Sequence, residues 1–417
     1  MIKRYIYLSF LTLLALSVSA QKITLGSCKM KDGGEYKGQM MSGKPHGKGK
    51  TTWKDGDSFE GEYVKGKRQG YGVYAFHDGE KYEGQWFQDQ QHGQGTYYFQ
   101  NNNKYVGLWY RDFQQGHGTM YYYNGDQYVG DWKQDKRHGK GRYTHHGGAW
   151  YDGEWAGDKK NGKGTYDWGD GASYEGQWKD NQRSGKGTFK YATGDIYIGQ
   201  WSNDVQNGKG IYKFQTGDTY EGDYVDGTRT GQGVFRYANG DSYTGQWAND
   251  VMNGRGIYKF QNGDVYEGDY LNGNRTGSGI FSYANGDKYT GQFLNGDKHG
   301  QGTLVYKNGD IYSGHWRSDK REGRGKLTKK NGDIVEGSFR DGQPNGECIV
   351  HFADGSKFKG HMKDGKRNGP AIEEDKDGIR FEGTYANDVR DGKFVEKDRN
   401  GRIVRQGTYT RGHRTVN

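Results

Sequence analysis

The stretch Tyr174-Glu-Gly-Gln-Trp178 alternates: Tyr174, Gly176 and Trp178 fall on one side of an extended chain, Glu175 and Gln177 on the other. Soon after, Gly187-Thr-Phe-Lys-Tyr191 alternates again, with Gly187, Phe189 and Tyr191 sharing a side. Side chains that switch sides at every residue mark a half-buried strand. The pattern predicts two short antiparallel strands, joined by a loop rich in Asp, Asn, Lys and Gly. Tight turns then lead onward: Asn239-Gly240-Asp241, Asn262-Gly263-Asp264, Asn285-Gly286-Asp287 and Asn308-Gly309-Asp310. Asn-Gly between alternating runs is a hairpin signal, because both residues tolerate positive φ.

The pattern recurs at a fixed interval. The glycine of each Tyr/Phe-x-Gly, with Val335 in place of the ring at one copy, falls at 38, 61, 84, 107, 130, 153, 176, 199, 222, 245, 268, 291, 314, 337, 360 and 383, always 23 residues apart. A further copy at Gly407 is one residue late. A constant period of this size marks a repeat architecture. Residues 203–248 and 249–294 are also nearly the same 46-residue block, as if a two-repeat unit had been duplicated. The expected fold is all-β: an elongated array of antiparallel hairpins in a single twisted sheet, thirty-two strands from sixteen copies. In the last three copies Cys348, Ala371 and Phe394 replace the second glycine of Gly-x-Gly. End repeats are expected to be atypical because one side must face water.

Composition changes the picture of the core. The chain has 75 Gly against 35 Tyr, 17 Phe and 11 Trp, and its mean hydropathy is −1.18. Such polarity alone describes a disordered chain, but disorder gives no reason to hold aromatic residues in strict register. Rings lying against bare glycine backbone therefore take the place of an aliphatic core. The net charge of +9 over 417 residues is a mild excess.

The first residues differ from the rest. A basic start, the apolar run Leu8–Val18 and the small residues Val18-Ser19-Ala20 predict a secretory signal peptide over residues 1–20, cleaved after Ala20. The mature chain is then exported, to the periplasm, cell surface or medium. A lead-in follows at 21–32, the array at 33–401 with its last three repeats degenerate, and a cap or tail at 402–417. The two cysteines, Cys28 and Cys348, lie too far apart along an array to form a disulfide. Leu25-Gly26-Ser27-Cys28 also resembles a lipoprotein cleavage box, which leaves lipidation of Cys28 as an alternative.

Catalytic chemistry finds little support. Gly157-Asp-Lys-Lys-Asn-Gly162-Lys163-Gly164 stops one residue short of a phosphate-binding loop, with Gly164 where Ser or Thr is needed. Four of the twelve histidines (His46, His92, His138 and His299) share one repeat phase; His145-His146 have no Cys or carboxylate at ligand spacing. The turn aspartates lack the density of a calcium loop. Asn274-Arg275-Thr276 is a glycosylation sequon, relevant only in a eukaryotic secretory host. No cofactor, metal or small-molecule substrate is expected.

Tyr-x-Gly-x-Trp followed by x-Gly-x-Gly on this period resembles the MORN repeat (membrane occupation and recognition nexus), from about residue 33 to 400. The frequent His-Gly of that family is matched at His46-Gly47, His92-Gly93, His138-Gly139 and His299-Gly300. The resemblance implies an elongated antiparallel sheet and roles in membrane tethering, phospholipid contact, scaffolding or dimerisation. It implies no catalysis by the repeat, and the chain holds no segment for an accompanying kinase domain.

One charge pattern stands beside the architecture. Lys67, Arg68, Lys136, Arg137, Lys159, Lys160, Arg183, Arg229, Arg275, Lys298, Lys320, Arg321, Lys366 and Arg367 all sit just before Gly-x-Gly, in loops that share one long edge. The opposite edge carries Asp126, Asp195, Asp218, Asp241, Asp264, Asp287, Asp310 and Asp333. Bases in a row are a candidate surface for anionic partners. Asp89, Asp112, Asp135, Asp158, Asp204, Asp250 and Asp319 dilute the same loops. Nucleic acid is not expected, because packing explains the rings without base stacking. The sequence thus reads as a non-catalytic exported scaffold for protein association, including self-association. The alternative is peripheral binding to anionic phospholipid through the basic loops.

Overall fold

In the computed structural model the structure describes residues 22–416, which hold 36 strands and no helix. The apolar run and cleavage motif of the signal peptide lie outside the described residues. The chain divides into two compact units, one ending at Gln182 and one starting at Arg183. In the first, each strand from Thr24–Lys29 to Ser173–Lys179 pairs antiparallel with the next in sequence. The second repeats this plan from Gln182–Lys190 to His413–Val416. Its one irregularity is Arg380–Ala386, which pairs with both Val389–Arg390 and Gly392–Lys397. The lead-in and the tail, expected to lie outside the array, add strands of their own at Thr24–Lys29, Ile403–Thr410 and His413–Val416.

Register explains the glycines. Gly84 pairs with Gly95, and the ring of Tyr82 lies across both, so a side chain on either would overlap it. The ring belongs to the strand of the first glycine and covers the second across the ladder. Its hydroxyl donates to the Gln85 carbonyl at 2.9 Å. Trp86 stands edge-on to Tyr82 at 5.2 Å, and Trp109 of the next repeat packs on the same ring at 5.3 Å. Tyr105 repeats the arrangement with Trp109 and Trp132 at 5.3 and 5.2 Å. Each unit thereby carries a row of T-shaped pairs, a geometry that adds about 0.5–1.5 kcal/mol per pair to simple burial. The indoles are satisfied too: Trp86, Trp109 and Trp155 donate to the Gly72, Gly95 and Gly141 carbonyls at 3.2, 3.3 and 2.9 Å.

The first glycine of Gly-x-Gly has a separate task. Gly93, Gly208 and Gly254 sit at φ of 61°, 95° and 95°, where the ladder bulges. The bulge frees the next amide, and the glutamine of Tyr-x-Gly-Gln-Trp accepts it: Gln94 to Gln85 at 3.1 Å, Arg255 to Gln246 at 2.8 Å.

Two expectations change. The two-residue turns with both central φ positive are those of the Asp/Asn-rich loops, as at Asn203 (49°) and Asp204 (68°) or Asn249 (49°) and Asp250 (68°). In the Asn-Gly-Asp turns only the glycine is left-handed: Gly240 has φ 98° and donates to the Tyr237 carbonyl at 3.0 Å, while Tyr237 donates to Asp241. This is a type I turn closed by a glycine bulge, and Asn239 caps it by accepting the Asp241 amide at 2.9 Å. Nor do the degenerate repeats turn toward water, since Cys348, Ala371 and Phe394 are all buried. Val335 occupies the place of the covering tyrosine opposite Cys348, so the smaller residue leaves room for the thiol. Phe358, without a hydroxyl, stands in the same relation to Ala371.

Candidate interaction site

The predicted basic residues separate into two sets. Lys67, Lys136, Lys159, Lys320 and Lys366 are exposed at the strand starts. Arg68, Arg137, Lys160, Arg183, Arg229, Arg275, Lys298, Arg321 and Arg367 are half-buried and lie over the rings. Arg68, Arg137, Lys160 and Arg183 sit 4.4 Å from the rings of Trp86, Trp155, Trp178 and Trp201; Arg229 sits 4.7 Å from Trp247. Arg275 approaches Phe281 at 5.2 Å, Lys298 Trp316 at 5.4 Å and Arg367 Tyr385 at 4.5 Å.

Five of the aspartates that dilute these loops are partners of these bases in the next repeat, while Asp112 and Asp135 accept the Gln91 and Gln114 amides at 2.7 Å. The Arg68 amide donates to Asp89 Oδ1 at 2.8 Å, the Asp89 amide returns to the Arg68 carbonyl at 3.1 Å, and Arg68 Nη2 reaches the Asp89 carbonyl at 2.8 Å. Arg137–Asp158, Arg183–Asp204, Arg229–Asp250, Lys298–Asp319 and Arg367–Asp388 form ion pairs at 3.1, 3.1, 3.0, 3.4 and 3.3 Å. Lys159 and Lys320, though exposed, pair with Asp180 and Asp341 at 3.1 and 2.8 Å. Arg68, Arg137, Arg183, Arg229, Lys298 and Arg367 are thus clasps between successive turns rather than charges offered outward. Cation–π contacts with partial desolvation contribute about 1–2 kcal/mol each.

The acidic edge is used the same way. Asp241 accepts the Gln261 amide at 2.7 Å and the Tyr258 hydroxyl at 3.0 Å; Asp126 does so with His146 and Tyr143 at 2.9 and 2.7 Å. Asp218, Asp264, Asp287, Asp310 and Asp333 accept the amides of Ala238, Ala284, Lys307, Lys330 and Ala353 at 2.7–3.0 Å. Asp195 accepts from Gln215 at 2.8 Å. The Gln261 amide holds the Asp241 carboxyl below its ordinary range, and the Lys330 amide does the same for Asp310.

One accessible stretch is lined mainly by rings, with Asp112, Asp135 and Asp158 among them. Beside the buried Tyr/Trp row runs a second row of half-buried rings that the sequence did not single out. In the first unit Phe76, Tyr97, Phe99, Met120 and Tyr122 line a depression of about 640 Å³ closed at its base by Trp109 and Trp132. A smaller one of about 220 Å³ follows at Tyr143, His145 and Tyr166, rimmed by Arg137 and Asp158. Tyr97–Phe99 and Tyr143–His145 pack at a tilt of 44° and 53° with centroids 4.6 and 4.7 Å apart, so the rings are held in place before anything binds. The signal was present as the aromatic residue on either side of each turn, but strand packing alone was enough to account for it.

Among the described residues no group of three or more His, Cys, Asp or Glu could hold a metal ion, and no helix is long and apolar enough to cross a membrane. Cys28 and Cys348 are both free thiols, and burial raises the Cys348 pKa.

No curated protein sequence matches the chain. Among solved structures it is similar to the TCP10 domain of Danio rerio CPAP in complex with a STIL peptide, at 13% identity over 60% of this chain and 96% of that one, TM-score 0.20. It is similar to the TCP10c domain of Drosophila melanogaster Sas-4 at 14% identity, 43% and 93% coverage and TM-score 0.21. A virginiamycin B lyase from Staphylococcus aureus follows at 11% identity, 80% and 97% coverage and TM-score 0.13. No assignment follows from similarities this distant. The model of the MORN repeat, by contrast, matches fifteen consecutive segments from 36–58 to 358–380. Matched from residue 36 to residue 380, the chain belongs to the MORN repeat family.

Proposed function

We propose that the chain is an exported, non-catalytic scaffold that holds a protein partner along the ring-lined side of the sheet. The observation that supports this reading is the second row of rings, with Phe76, Tyr97, Phe99 and Tyr122 half-accessible around one depression. Rigid aromatic residues in partly desolvated pockets lose little conformational freedom on binding and carry a large share of interface energy. The ring-facing bases and the turn aspartates of the two polar edges are largely engaged in internal contacts, which favours the ring-lined side as the surface with most to gain from burial. Phospholipid contact through the basic loops is the weaker reading, because the arginines that would make it lie over rings and beside aspartates.

A photo-crosslinking phenylalanine analogue placed at Tyr97 or Tyr122, in the native host, tests the proposal. Expected are adducts with one protein partner from both positions and none from Glu175 on the opposite side. Equal labelling from all three positions, or flotation of the chain with phosphatidylserine vesicles without any protein adduct, would overturn it. N-terminal sequencing of the mature chain, expected to begin at Gln21, tests export separately.

A further inference from the structure

In a clasped repeat the second base of the loop sits in a niche of two rings and a carboxylate. Arg68 lies between Tyr74 and Trp86, 5.2 and 4.4 Å from the two rings, with Asp89 beside it. Arg137 lies likewise between Tyr143 and Trp155 at 5.3 and 4.4 Å, with Asp158 at 3.1 Å. Between these copies the bases are missing: where they carry Lys67-Arg68 and Lys136-Arg137, the chain reads Gln90-Gln91 and Phe113-Gln114. Glutamine lacks the terminal carbon of arginine and its two nitrogens, so the planar cation is absent. The rest of the niche is kept. Tyr97 and Trp109 stand 5.8 Å apart at 34°, against 6.0 Å and 35° for Tyr74 and Trp86 around Arg68. Asp112 and Asp135 accept the Gln91 and Gln114 amides as Asp89 accepts that of Arg68. Asp112 Oδ2 takes the neutral Gln90 Nε2 at 3.2 Å, and neither carboxylate forms an ion pair among the described residues. The depression here measures about 640 Å³, against about 220 Å³ where Arg137 and Lys160 fill their niches. On its wall Gln114 is 4% exposed, and its Oε1 is buried without a hydrogen-bond partner. A buried acceptor in that state awaits a donor.

We infer that these two open niches receive two arginine side chains of the protein partner; the inference rests on the scaffold reading and gives that partner its chemistry. Tyr97, Trp109 and Asp112 form one niche, and Met120, Trp132 and Asp135 form the other. The chain itself shows what fits, because arginine fills the equivalent place over Trp86, Trp155, Trp201 and Trp247. The face of a guanidinium lies on an indole while its edge donates to a carboxylate, two demands that one planar cation meets at once. Gln114 Oε1 takes a further N–H of the same group. In the second niche the thioether of Met120 replaces the outer ring, and a polarisable sulfur packs against a flat cation without a charge of its own. Two unpaired carboxylates in a partly desolvated hollow favour a positive ligand over a neutral one. The niches lie one repeat apart, two strand spacings or about 10 Å. Extended chain covers that distance in about three residues, so the partner segment crosses the strands with its arginines about three positions apart.

Titration calorimetry of the purified chain with the capped peptide Gly-Arg-Gly-Gly-Arg-Gly, up to about 5 mM, tests this. A dissociation constant of roughly 0.1–1 mM is expected, weakened about tenfold or more when citrulline, nearly isosteric but uncharged, replaces both arginines. The double variant Gln91→Arg, Gln114→Arg closes both niches from within and should weaken peptide binding by about the same factor. Gln206→Arg, at the same phase in the second unit, is the control and should bind like the parent. Circular dichroism matching the parent shows that the double variant has folded; Asp112→Asn with Asp135→Asn repeats the test should it not. No binding up to about 5 mM, equal binding of the citrulline peptide, or binding untouched by the double variant overturns the inference. So does flotation with phosphatidylcholine vesicles that the double variant loses, which would assign the niches to a choline headgroup. Crosslinking from Tyr122 in the double-variant background separates this inference from the reading it rests on. Protein adducts at undiminished yield would leave the scaffold standing and remove the arginines. No adduct in the parent, with the peptide still bound, would remove the scaffold partner and keep the niches.

Discussion

At Gly95 an added methyl group would overlap the ring of Tyr82, and at Gly84 it would meet the backbone of Gly95. The pair is glycine because the ring must lie flat across both strands for its hydroxyl to reach the Gln85 carbonyl. Gly95→Ala therefore forces the ring out of place, at a cost of about 1–3 kcal/mol or more. The chain contains its own control in Val335 and Cys348, where a smaller covering residue accompanies a side chain in the glycine position. Tyr82→Val should accordingly relieve much of the Gly95→Ala penalty, with a coupling of about 1–2 kcal/mol in a double-mutant cycle. Guanidinium unfolding of the four proteins measures it. If the alanine costs as much in the Tyr82→Val background as beside the native ring, ring overlap is not the reason for the glycine.

At the scale of strands and turns, the tyrosines act as a row. Burial pushes the hydroxyls of Tyr220, Tyr243 and Tyr266 up to about 12 from an ordinary 10.0. A group whose pKa is raised by folding contributes stability that is complete below its unfolded value and is lost as pH rises toward the folded one. Stability should thus hold to about pH 10 and fall steeply between 10 and 12, in the window those values set. Absorbance at 295 nm should report ionisation of the buried tyrosines together with loss of the β-sheet circular dichroism signal. Ionisation of the whole tyrosine set near pH 10 with the sheet intact would contradict this burial. The strands themselves were legible, because alternation survives in every copy. The turns were not. Asn239-Gly240 carries the expected residues, but the asparagine serves as a side-chain cap and only the glycine turns left-handed. Asn203-Asp204 carries no glycine, yet both residues take positive φ, which short polar side chains tolerate. The bases were visible as charge. That Arg137 folds inward over Trp155 depends on Asp158 of the following turn, and a linear reading does not place one turn against the next.

At the scale of the whole molecule, the 23-residue period means that each repeat meets only its neighbours, so stability is close to a sum of local terms. The duplicated blocks 203–248 and 249–294 allow a direct test within the second unit. Removing 249–294 joins Ala248 to Asn295-Gly296. That turn has φ of 49° and 94°, where Asn249-Asp250 had 49° and 68°. Gly245 then meets Gly302 in the register that Gly291 holds now, and Trp247 meets Lys298 as Phe293 does. Tyr243 inherits the place of Tyr289 against Trp316, a contact of 5.3 Å. Every interface is replaced by an equivalent one. The shortened chain should keep its circular dichroism per residue and its guanidinium midpoint, while the overall denaturant dependence falls by roughly a tenth, in proportion to the surface removed. Deleting only 249–260, half a repeat, sets unlike strands side by side and should abolish the cooperative transition of the unit. If the in-phase deletion is as damaging as the out-of-phase one, neighbour contacts alone do not hold the array, and longer-range coupling must be sought inside the unit.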